Sequence, residues 1–295
     1  MLTVRNEVLR AACVMLMLCV ARSVGAQHVE LTEMMFYTLP EGFEPRFVNL
    51  LPTGEGLVAG DSVVLAFDEQ QGLRPLPCRT EGRLRSGFFV SSPEPVLVDE
   101  SSVYLCGNPG HPLIRLPQPT LDAAVVGPDT VALLMKSADS VQLALVTLRA
   151  ERMSDHLHLG PNVSRLSTAN ETIVAWSPTP PFAVEVLDRI SGQRRRWYLY
   201  PPPGLSGDIV VTTVVPLGAQ SILASIIDLQ GDTRSLELYQ PDGTLVFRRI
   251  IEVPLAVVAA SVTGELVAGI RMTSRRELVI YRVRLAPRPP PSSYE

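Results

Sequence analysis

From residue 27 onward the chain shows almost no helical periodicity. Its apolar residues come in short, β-branched runs broken by Gly, Pro, Asp and Ser. The clearest are 62–67, 131–135, 141–148, 172–176, 209–215, 221–227, 244–251 and 277–285. A helix needs an apolar stripe recurring every three to four residues, whereas a strand needs only a short run or a two-residue alternation. Many such runs at short spacing, separated by turn residues, predict an all-β sandwich, barrel or propeller.

A repeat chooses among these. Thr53-Gly-Glu-Gly-Leu-Val-Ala-Gly60 has a near copy in Thr263-Gly-Glu-Leu-Val-Ala-Gly269, each after one apolar segment and before another. Leu57 and Leu266 lie 209 residues apart, which over five steps is about 42 residues per unit, a propeller period. Equivalent second strands fall at Val96, Val131, Ile173 and Ile222. The predicted blades are 46–80, 86–120, 121–160, 161–203, 207–254 and 255–285. Blade 5 reads most cleanly, with Pro241-Asp242-Gly243 as the hairpin turn before its last strand. In blade 2, Pro93, Pro95, Pro109 and Pro112 fit only edges and turns. Blade 6 offers three strands only. The run Glu33-Met34-Met35-Phe36-Tyr37-Thr38-Leu39 stands alone before blade 1, so it is predicted to supply the missing outer strand, antiparallel to 277–285.

The first 26 residues read as a leader. Arg5 and Arg10 precede an apolar run from Ala11 to Ala21, and Ser-Val-Gly-Ala ends at Ala26. That run is too short for a bilayer core, which takes about 20 apolar residues. Leu18 before Cys19 argues against a lipoprotein site, which needs a small residue there. A single propeller domain is then expected over 27–286, with a Pro-rich disordered tail over 287–295. Cleavage after Ala26 leaves 23 basic and 29 acidic residues, a charge of −6. This surface carries no footprint for nucleic acid, and no later run could span a membrane. A periplasmic or secreted monomer is expected.

Lys136 is the sole lysine, a bias of GC-rich bacterial genomes, and in such a source the sequons at Asn162 and Asn170 carry no glycan. Export permits a disulfide between the two remaining cysteines, Cys78 and Cys106, which fall at the end of blade 1 and inside blade 2. Two separate buried thiols are the alternative.

On blade spacing, the two Thr-Gly-Glu units and the Pro-Asp-Gly turn, residues 33–285 resemble the exported six-bladed β-propellers. That superfamily includes NHL-repeat proteins and lactonase-like enzymes. The resemblance implies an all-β, six-bladed propeller of four-stranded antiparallel blades, closed by an N-terminal strand that completes the last blade. It also suggests an axial calcium held by acidic and amide side chains. Only Asn49, Asp122, Asn162 and Asp208 lie near the inner strands, and they read as turn residues and strand ends. Calcium takes six or more oxygens, so no metal and no cofactor is expected.

His156 and His158 share a strand face and could begin a metal site, but Asp155 points the other way. They read as surface residues of blade 3's outer strand. In Arg194-Arg195-Arg196-Trp197-Tyr198-Leu199-Tyr200, alternation sets Arg195, Trp197 and Leu199 against Arg194, Arg196, Tyr198 and Tyr200. This reads as an outer strand with one solvated face rather than a stacking platform. No nucleophile elbow, phosphate loop or zinc signature occurs. The expectation is a binding or scaffold module for an unknown protein or small-molecule ligand. The alternative is a propeller enzyme, a lactonase-like hydrolase or a sugar dehydrogenase-like oxidoreductase. Three convergent acidic, amide or imidazole side chains at one end of the axis would favour the enzyme. An apolar or Arg-lined mouth would favour binding.

Overall fold

The computed structural model describes residues 27–287, apart from 62, 79–81, 90–93, 109–110, 155, 170, 200–207, 219, 231–232, 252–254 and 274. The expected leader and most of the expected tail lie outside the described residues, as do Asp155, Asn170, Tyr200, Pro93 and Pro109.

The described chain is all strand and turn. It opens with β1 (Gln27–Thr38). Blade 1 follows as β2 (Phe47–Leu50), β3 (Gly56–Ala59), β4 (Val64–Asp68) and β5 (Gly72–Leu76). Blade 2 is β6 (Leu84–Phe88), β7 (Val96–Asp99), β8 (Ser102–Leu105) and β9 (Ile114–Arg115). Blade 3 is β10 (Thr120–Gly127), β11 (Thr130–Lys136), β12 (Val141–Thr147), then β13 (Arg152–Met153) and β14 (Leu157–Leu159). Both of the last two pair with β12, so they are one outer strand broken in the middle. Blade 4 is β15 (Arg165–Ala169), β16 (Thr172–Trp176), β17 (Ala183–Asp188) and β18 (Arg194–Tyr198). Blade 5 is β19 (Ile209–Leu217), β20 (Ser221–Asp228), β21 (Thr233–Tyr239) and β22 (Leu245–Ile250). Blade 6 is β23 (Leu255–Ala260), β24 (Leu266–Met272) and β25 (Arg276–Pro287), with β1 on its outside.

Each blade is an antiparallel meander, and the inner strands β2, β6, β10, β15, β19 and β23 neighbour one another in a ring. This is the six-bladed propeller that the repeat spacing predicts. Every second-strand residue aligned from sequence, from Leu57 to Leu266, lies on the second strand of its blade.

Sheets packed face to face bury one hydrophobic layer per seam, and there are six. Leu39, Phe67, Leu266 and Ile280 fill the seam between blades 6 and 1. Phe47, Leu57, Leu84 and Leu97 fill the next. Phe88, Val98, Leu133 and Val146 follow, then Leu134, Leu143, Leu166 and Ile173. Trp176, Trp197, Val211 and Tyr239 occupy the seam of blades 4 and 5. Val29, Leu217, Leu238 and Val283 occupy that of blades 5 and 6. This is why second and third strands read as unbroken apolar runs: both of their faces are buried.

The closing strand is longer than the expected 33–39. It pairs from Gln27 opposite Pro287 to Thr38 opposite Glu277, with a bulge between Glu33 and Met35. Its first half alternates too: Val29 and Leu31 turn into the seam with blade 5, while Glu30 and Thr32 face out. Pro287, read as the first tail residue, is instead the last residue of β25. A strand end tolerates proline because no further ladder bond needs its missing N–H.

The repeated Thr-Gly-Glu units are the turns from first to second strand. Gly54 and Gly264 both have positive φ, 91° and 73°, and each donates its N–H back to the residue three before it, Leu51 and Ser261. A Cβ on Gly264 would sit 2.4 Å from the backbone N of Gly218 on blade 5.

Candidate functional site

In a meander of four strands, the start of every inner strand lies at the same end of the ring. The connections between blades and the second-to-third-strand turns lie at that end as well. The Arg46–Asp61 and Arg85–Glu100 pairs, each joining an inner-strand start to such a turn, show this geometry. This end is the mouth of the ring.

The axis carries a cavity of about 240 Å³ walled by inner strands of all six blades. Arg46 and Arg165 begin the inner strands of blades 1 and 4, three places apart around a ring of six, and both line the cavity. They therefore stand on opposite sides of the mouth. Deeper in, the wall is Val48, Phe88, Ala123, Val125, Val211 and the segment Val257–Ala260, interspersed with hydroxyls.

Inner strands present a free backbone edge to the axis, and buried C=O and N–H groups there need partners. Short polar side chains supply them by reaching across to the next blade. Ser167 donates to Val214 O at 2.5 Å, Thr168 to Val125 O, and Thr213 to Val258 O at 3.3 Å. Thr212 donates to Leu255 O at 3.0 Å. Asn49 Oδ1 accepts from Phe89 N, and Asp122 Oδ2 from Leu166 N at 2.9 Å. Bulges at Arg85, Leu121, Thr212 and Val257–Val258 adjust the inner strands for this stitching. Val257 lies at φ 49°, a costly conformation for a β-branched residue.

Of the four oxygen-bearing candidates for an axial metal, two line the cavity, Asn49 and Asp122. Both lie within inner strands, Asn49 next to the end of β2 and Asp122 near the start of β10, in keeping with the expected strand ends rather than turns. Asn162 sits in the connection between blades 3 and 4. Asp208 precedes β19 and accepts from Gln230 Nε2 at 2.6 Å. Among the described residues, no three His, Cys, Asp or Glu converge as a metal site.

Among the described residues, Asp122 is the acidic side chain that lines the cavity. It is half-buried, with protein packed closely around the carboxyl. That burial raises its carboxyl to about 6, against the opposing pull of the Arg165 guanidinium and the N–H groups of Leu166 and Ala123.

The remaining sequence candidates are structural. His158 lies exposed on β14 beside Ser140, whereas His156 falls in the break between β13 and β14. The strand break thus undoes the shared face that the alternation predicts. On β18 the alternation holds. Trp197 packs on Tyr239 with ring centroids 5.0 Å apart, and Arg194 and Arg196 turn to the buried Glu185. Arg194 Nε lies 2.9 Å from Glu185, and Gly160 N donates to the same carboxylate at 2.7 Å. A second such centre was not foreseen: Glu237, fully buried on β21, accepts from Arg248 Nε at 2.6 Å, from Tyr239 Oη and from Ser235. Glu185 pairs in register with Arg196 and Ala175, Glu237 with Arg248 and Ala224. The Ala–Glu–Arg row is thus repeated in blades 4 and 5.

Cys78, in the connection after β5, and Cys106, at the end of β8, are joined with Cα atoms 4.6 Å apart.

No protein-family model and no curated protein matches the chain. Among solved structures it is similar to BBS1N, crystallised in complex with ARL6DN, at 12% identity and a TM-score of 0.53. The match covers 81% of this chain and 78% of that one. At this identity the likeness concerns the fold alone.

Proposed function

We propose that this protein is an exported propeller that works as a binding or scaffold module, engaging a partner or ligand at the mouth of its axial channel. The lining of that channel carries the reading. Two arginines flank the mouth, one carboxylate and one amide lie on the wall, and most of the remainder is apolar or committed to backbone stitching. An enzyme of the lactonase or sugar-dehydrogenase kind would need several acidic, amide or imidazole groups converging there. BBS1N, similar in fold, was crystallised in complex with ARL6DN, which supports a protein-binding role here by analogy alone. Export is supported by the Cys78–Cys106 bond, which an oxidising compartment permits.

The test is site-specific photo-crosslinking in the periplasm or medium of the producing cell. Val63 and Leu229, exposed in second-to-third-strand turns at the mouth, should each yield a discrete adduct when replaced by a photo-reactive residue. Ile190, exposed in a turn at the opposite end, should yield none. Adducts from Ile190 alone, or turnover of lactones or sugars by the purified protein, would overturn the reading.

A further inference from the structure

The mouth has a charge pattern that points to a ligand class, given that it is a binding site at all. Arg165 and Arg46 oppose each other across it. Arg46 does have a partner in Asp61, 3.1 Å away, but their side chains are 44% and 54% exposed, so the pair is weak and exchangeable. Arg85 is engaged by Glu100. The carboxylate on the wall, Asp122, is held by Leu166 N and Ala123 N on its two oxygens, which fixes it in the wall rather than across the mouth. With Arg85 and Glu100 cancelling, Arg46, Arg83 and Arg165 stand against Asp61 and Asp122, which leaves this stretch of the rim with a net positive charge.

Below the arginines the chemistry changes. The hydroxyls of Ser167, Thr168, Thr212 and Thr213 donate to backbone carbonyls and are spent. Around them stand Phe88, Val125, Val211 and Val257. A ligand entering here would meet cations first and hydrocarbon afterwards. A cavity of about 240 Å³ is smaller than the ~300–1,000 Å³ typical of drug-sized ligands, so the guest has roughly ten heavy atoms. A doubly charged phosphate would meet Asp122 and leave the hydrocarbon wall empty.

We infer that the channel binds a small organic monocarboxylate, its head between Arg46 and Arg165 and its hydrocarbon tail down the axis. Arginine suits this because its planar fork pairs with both carboxylate oxygens. Trp176 lines the same cavity and reports occupancy by its fluorescence.

The experiment is calorimetric titration of the disulfide-intact protein with octanoate, octanol and inorganic phosphate at pH 7.5, with tryptophan emission followed in parallel. Octanoate should saturate one site per chain, with octanol and phosphate at least tenfold weaker. Arg165→Ala and Arg46→Ala should each weaken octanoate about tenfold or more, with melting temperatures close to the parent's. Asp122→Asn should tighten it, by removing the opposing charge. Octanol binding as tightly as octanoate, an unchanged affinity in both arginine variants, or no saturable binding would each overturn the inference. The crosslinking outcome at Val63 and Leu229 is independent of these results, so a failed titration with intact crosslinks removes the carboxylate and leaves the module.

Discussion

Single residues bear loads here that their neighbours in sequence do not reveal. Glu237 is fully buried and answered by Arg248 from the adjacent strand. Removing the arginine alone strands a carboxylate in the seam, and Arg248→Ala should cost about 3–5 kcal/mol in chemical denaturation. Replacing both as Glu237→Leu with Arg248→Met should recover most of that loss. Gly264 and Gly192 make a second contrast. Both have positive φ, 73° and 68°, but only Gly264 has backbone in the path of a Cβ, whereas Gly192 has open space. Gly192→Ala should cost about 1–2 kcal/mol from the backbone alone. Gly264→Ala should cost clearly more and shift blade 5 against blade 6. Asp122 gives a pH signature. Its folded carboxyl lies near 6 against an ordinary 3.8, so between those values the folded protein holds a proton that the unfolded chain has released. Stability from this group is therefore full in acid and falls as pH rises through that window, by no more than about 3 kcal/mol. Asp122→Asn should lack the fall, seen as a shallower difference in melting temperature between pH 4 and pH 7.

At the scale of elements, β1 is the decisive strand. Without it β25 would present a long unpaired edge, and the seam between blades 5 and 6 would lose Val29 and Leu31. A chain lacking residues 27–38 should run as oligomers on size exclusion, and a synthetic peptide of those residues should restore the monomer. A monomeric, fully stable truncation would show that the ring closes without it. The strands themselves were legible in the sequence because seams leave second and third strands buried on both faces, and such strands announce themselves as apolar runs. The interrupted outer strand of blade 3 was not legible, since Leu157-His158-Leu159 alternates as well as any strand and nothing local marks the break at His156. The first half of β1 was missed because only Val29 and Leu31 carry its alternation. The mouth was least legible of all. Arg46 and Arg165 are 119 residues apart, each an ordinary arginine at a strand start, and only the ring brings them across from one another.

Over the whole molecule, six blades share one architecture while their seams differ in chemistry, from the aromatic packing of Trp197 on Tyr239 to the aliphatic layer around Leu133. The link between Cys78 and Cys106 ties the connection after blade 1 to the body of blade 2. If export is correct, the protein recovered from periplasm or medium should begin at Gln27 and carry no free thiol, both read from its intact mass. The antiparallel closure has a mechanical corollary. Gln27 and Pro287, the two ends of the described chain, are the first rung of the β1–β25 ladder. A tension applied between the termini would therefore load the rungs one after another, as in unzipping, instead of sharing the load among all of them in shear. In optical-trap pulling, the ring should open at low force by peeling β1 from blade 6, in a step of roughly the 12 residues of β1, before any other blade yields.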